Sequence, residues 1–65
     1  MQIILNGEAK KTSAENLAGL FKELSLKREF CAVELDGKVI KSNEPDDIPL
    51  REGIRIEILR FVGGG

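Results

Sequence analysis

Histidine, tryptophan and tyrosine are absent from this chain, and cysteine and methionine occur once each. Without histidine there is no side chain of the kind that most often moves protons near neutral pH. The single cysteine, Cys31, has no CxxC partner and cannot close an internal disulfide, which suits a reducing, cytoplasmic compartment. Lying inside an apolar run, it reads as a packing residue. No stretch of about eighteen apolar residues occurs, so no transmembrane helix is expected. Met1-Gln2-Ile3-Ile4-Leu5 is too short for the apolar core of a signal peptide and closes on Asn6-Gly7. The net charge of −1 comes without a basic stripe, which leaves nucleic-acid binding little electrostatic support. Glu44, Asp46 and Asp47 share a loop but lack the spacing of a calcium loop, and no metal site is expected.

What is present is 65 residues, 42% hydrophobic and 32% charged, a balance that fits one small globular domain near the lower size limit. Residues 1–5 alternate as a strand, with Met1, Ile3 and Leu5 on one face and Gln2 and Ile4 on the other. Asn6-Gly7 signals a type I′ hairpin turn, and Glu8–Lys11 then reads as a polar return strand at an edge. Thr12-Ser13-Ala14-Glu15 fits a capping box, with Thr12, or alternatively Ser13, as the cap. Leu17, Leu20, Phe21 and Leu24 follow as one helical stripe. Glu23 and Lys27 make a favourable pair if the helix runs that far. Gly19, costly inside a helix, suits close packing on the sheet.

Phe30–Leu35 is a second apolar run, turned by Asp36-Gly37 into the short strand Lys38-Val39-Ile40. Lys41–Glu52 holds both prolines and reads as an irregular connection pinned by Ile48 and Leu50, with one helical turn near Glu44–Asp47. From Ile54 to Phe61 the alternation returns: Ile54, Ile56 and Ile58 face one way, and Arg55, Glu57, Leu59 and Phe61 the other. One helix covers one sheet face, so the sheet must curl around it. With the last strand parallel to the first, the expected fold is α+β: a ubiquitin-like β-grasp of four or five mixed strands. Residues 1–62 are assigned to this domain and 63–65 to a flexible C-terminal tail.

Two features are left over by this architecture. Gly63-Gly64-Gly65 has no side chains to pack and costs much entropy to order, yet it offers a narrow backbone and an uncrowded terminal carboxylate. Ile4, Leu59 and Phe61 fall on the face away from the helix and are expected to form an apolar docking patch, with Arg60 steering the tail.

Three segments carry a resemblance: Leu5-Asn6-Gly7-Glu8, the run Val33–Ile40, and Gly53–Ile58 leading into Phe61-Val62-Gly63-Gly64-Gly65. In these the chain resembles the sulfur carrier proteins of thiamine thiazole biosynthesis. The likeness spans essentially the whole chain, and the ending is its most specific part; Lys41–Leu50 and Cys31 match no part of the pattern. It implies a protein substrate with no catalytic residue and no bound cofactor. An adenylyltransferase resembling ubiquitin-activating enzymes would use MgATP on the Gly65 carboxylate, with Gly63 and Gly64 threading its active site. A cysteine desulfurase or persulfide carrier would supply sulfur, and thiazole synthase would receive it from the thiocarboxylate. The alternatives are a carrier like the molybdopterin-synthase small subunit, a protein modifier, and a plain β-grasp interaction module.

Overall fold

Two hairpins frame the sheet, and each turns on the dipeptide that the sequence marks. β1 (Gln2–Leu5) pairs antiparallel with β2 (Glu8–Lys11). Between them Asn6 and Gly7 take φ of 49° and 83°, the two left-handed positions of a type I′ turn. β3 (Cys31–Leu35) and β4 (Lys38–Ile40) repeat the device over Asp36 and Gly37, at 50° and 85°. β5 (Arg55–Arg60) lies between the hairpins, parallel to β1 and antiparallel to β3. The order is β2-β1-β5-β3-β4. This computed structural model describes residues 1–61; the tail Gly63–Gly65 and the boundary assigned after Val62 lie outside them.

The helix α1 (Leu17–Glu23) starts later than the capping box implies. Its cap is Asn16, whose Oδ1 accepts the Gly19 N–H at 2.8 Å. Thr12 is occupied elsewhere: its hydroxyl accepts the Ala14 N–H at 3.0 Å and donates to the Glu23 carboxylate at 2.8 Å. The first helical amides find loop carbonyls instead, Leu17 N–H on Ile48 O at 3.0 Å and Ala18 N–H on Asp46 O at 2.8 Å. Gly19 also serves this end of the helix. A Cβ there would lie 3.2 Å from Asn16 Oδ1 and 3.4 Å from Ala14 Cβ, so it leaves room for the cap rather than for the sheet.

The helix closes with Ser25 at φ 58° and the Leu26 N–H on Phe21 O at 2.9 Å, a Schellman arrangement. Lys27 therefore lies beyond the helix, and the Glu23–Lys27 helical pair does not form. Leu17, Leu20 and Phe21 pack into a core with Ile3, Val33, Ile54 and Ile56, while Leu24, Leu5, Ile48 and Ile58 are half-buried against it. Leu50 and Cys31 are buried too. Glu44–Asp47 holds no helical turn; the loop bends instead with the Glu44 N–H on Lys41 O at 3.0 Å. Phe30 leaves the strand for a 3₁₀ turn, Arg28–Phe30.

Candidate functional site

β5 leads into the glycines, and both turn residues grip it. The Asn6 side chain accepts the Ile58 N–H at 2.8 Å and donates to Ile58 O at 3.3 Å. It thereby continues the β1–β5 ladder past the end of β1, where the Asn6 N–H already meets Ile56 O at 2.8 Å. Asp36 accepts the Arg55 N–H at 3.0 Å and forms an ion pair with Arg51. The Arg55 amide first, and the Arg51 guanidinium second, hold the Asp36 carboxyl below its ordinary value. Turn geometry alone accounts for the Asn-Gly and Asp-Gly signals in the sequence. The structure adds a second task to each, fixing the strand that carries the tail.

Alternation along β5 sends Ile56, Ile58 and Arg60 toward the helix side and Arg55, Glu57 and Leu59 outward. Leu59 is 66% exposed and stands opposite Ala32. Ile4 does not join it. It is opposite Arg55, four residues back along β5, or about 13 Å away. The residue that does share a shallow groove with Leu59 and Ala32 is Val39, 59% exposed. Arg60 lies on the other face, opposite Cys31, where Ser25, Leu26, Lys27 and Phe30 complete a small cavity. Phe61 donates its N–H to Phe30 O at 2.9 Å, and both residues are 55% exposed.

Leu59 and Val39 thus share the outer face of the sheet, Phe30 and Arg60 share the cavity on the other face, and Phe61 stands exposed just past the end of β5. Val39 and Phe30 were not among the sequence candidates. Counting from the Asp36-Gly37 turn places Val39 opposite Glu34 on the outer face, so that signal was available. Phe30 gave none, because it opens an apolar run whose continuation is a true strand. Among the described residues no group of histidine, cysteine, aspartate or glutamate side chains could hold a metal ion. No helix among them is long and apolar enough to cross a membrane.

The ThiS family matches residues 3–65 of the sequence, from the first strand through the triple glycine. The chain belongs to the ThiS family. Two solved structures bear the same geometry, both of a thiamine biosynthesis protein from Geobacter metallireducens. The crystal structure of that ThiS protein is 32% identical, covers all of both chains and superposes with a TM-score of 0.78. The solution structure is 29% identical over all of this chain and 88% of the other, also at 0.78. A thiazole synthase from Paramagnetospirillum magneticum is 29% identical over 66 residues. The match takes in all of this chain but 20% of that protein, so the ThiS-family chain spans about a fifth of the length of the curated relative.

Proposed function

We propose that this ThiS-family protein is a sulfur carrier for the thiazole of thiamine, and that the Gly65 carboxylate is its working group. The observation that supports the reading most directly is the family match, which runs unbroken to residue 65. A carboxylate resists sulfur nucleophiles until one oxygen becomes a good leaving group. In the proposed sequence a carboxylate oxygen of Gly65 attacks the α-phosphorus of ATP, and pyrophosphate leaves. A persulfide sulfur then attacks the acyl carbon, and AMP departs with the former carboxylate oxygen. A thiol cleaves the remaining S–S bond and releases the thiocarboxylate. An adenylyltransferase of the ubiquitin-activating kind, using MgATP, and a cysteine desulfurase or persulfide carrier perform these steps in the cytoplasm. The carrier contributes the acceptor and no catalytic residue.

Thiazole synthase is the proposed receiver of the sulfur. A thiazole synthase contains a stretch similar to this whole chain, which favours the thiazole reading over a pterin one. Gly63 and Gly64 serve as the narrow backbone that passes through the activating site, because glycine alone adds no side chain to a tight channel. Incubation with ATP, a sulfur donor and the adenylating enzyme is expected to raise the intact mass by the difference between sulfur and oxygen. Deleting Gly64 and Gly65 should abolish ATP–pyrophosphate exchange while leaving the melting temperature nearly unchanged. Exchange that persists in the truncated protein would sink the proposal, and conjugates to lysines of other proteins would replace it with a modifier.

A further inference from the structure

The outer sheet face holds an arrangement that the fold itself does not use. Glu34 and Glu57 are directly opposite one another on β3 and β5. Cβ atoms of such pairs lie about 5 Å apart, and like charges placed there destabilise a sheet. Val39 flanks the pair from β4, opposite Glu34, and the groove continues to Leu59 and Ala32 on one side and Asn6 on the other. Arg55 shares this face two residues before Glu57, yet the one ion pair among the described residues is Arg51–Asp36. Two acidic residues are therefore paired across the strands between exposed apolar groups, and neither forms an ion pair among the described residues.

We infer that this face receives a partner protein that seats an arginine or lysine side chain between Glu34 and Glu57, while Leu59 and Val39 enter an apolar hollow beside it. The cation relieves the repulsion that the register imposes, and the leucine and valine lose their exposed surface. The acidic pair thus sets the register of docking and the choice of partner, which apolar contact alone does not do. The inference rests on the carrier reading, in which the adenylating enzyme must hold the body of the protein beside its ATP site.

The test measures three variants, Glu34→Gln, Glu57→Gln and the control Glu8→Gln on β2, by thermal melt and by calorimetric titration with that enzyme. Each of the first two should melt at or above the parent temperature yet bind about tenfold more weakly at low salt, with the gap closing as salt rises. Glu8→Gln should bind as the parent does. Parental affinity in both glutamine variants, or a loss of affinity that tracks a lower melting temperature, would overturn the inference. The parent protein's ATP–pyrophosphate exchange separates the two failures. Without exchange the carrier reading falls and takes the inference with it; with exchange and unchanged variant affinity, the inference alone falls.

Discussion

Asn6 and Asp36 each set a left-handed turn and each reach a backbone group of β5. The turn is legible from two adjacent letters, because type I′ geometry admits few residues. The second bond is not, since Asn6 meets Ile58 across 52 positions and no local pattern records it. For Asp36 the bond has a pH signature. Its folded carboxyl is held below the ordinary value by the Arg55 amide and then by Arg51, so its contribution is present above the usual carboxylate range. That contribution is lost as pH falls through the folded value. Asp36→Asn should therefore lower the melting temperature at neutral pH, with the two curves converging in acid. Parallel curves across a pH series of thermal melts would show that the charge of Asp36 contributes nothing.

At the level of elements, the strands were readable and the helix start was not. Alternation and turn signals gave the two hairpins and the last strand to within a residue or two. Thr12-Ser13-Ala14-Glu15 has the spacing of a capping box, but Thr12 is drawn to Glu23, and the loop carbonyls of Asp46 and Ile48 serve the helix instead. Those carbonyls arrive from a segment whose sequence has no periodicity. Asn16 and Gly19 form the coupled pair at the new start. Asn16→Ala should cost about 1 kcal/mol. Gly19→Ala should be close to neutral, because the propensity gain of about 1 kcal/mol is offset by the methyl pressing on the cap. In the Asn16→Ala background the same change should stabilise by about 1 kcal/mol. Denaturant melts of all four proteins close the cycle, and additivity would refute the coupling.

For the molecule as a whole, one helix against one sheet face leaves a single small core. Ile3, Leu17, Leu20 and Ile56 are fully buried in it. Leu20→Ala is expected to cost roughly 2–5 kcal/mol, about all that a domain of this size has to lose. Circular dichroism should find the variant largely unfolded at 25 °C; a cooperative melt near that of the parent would contradict the core assignment. The fold could be inferred because face alternation and turn chemistry agree along most of the chain. Of the apolar patch expected on the outer face, Leu59 is exposed there and Ile4 is set apart from it. Alternation put Ile4 and Leu59 on the same face, but the stagger between β1 and β5, which separates them, is fixed by contacts that alternation does not encode.

A pull on the glycine end loads this fold in shear. β5 points toward the tail and β1 starts at the opposite end of the same parallel pair, so tension between the two chain ends drives one strand along the other. Ile4 N–H on Ile54 O, Asn6 N–H on Ile56 O and the two Asn6–Ile58 bonds link the sliding strands and carry the load together. A hairpin peeled from its open end would surrender such bonds one at a time. Resistance of this kind is a matter of rate. In the proposed carrier, an enzyme drawing in the glycines would pull against all these ties at once, the two Asn6 side-chain bonds among them.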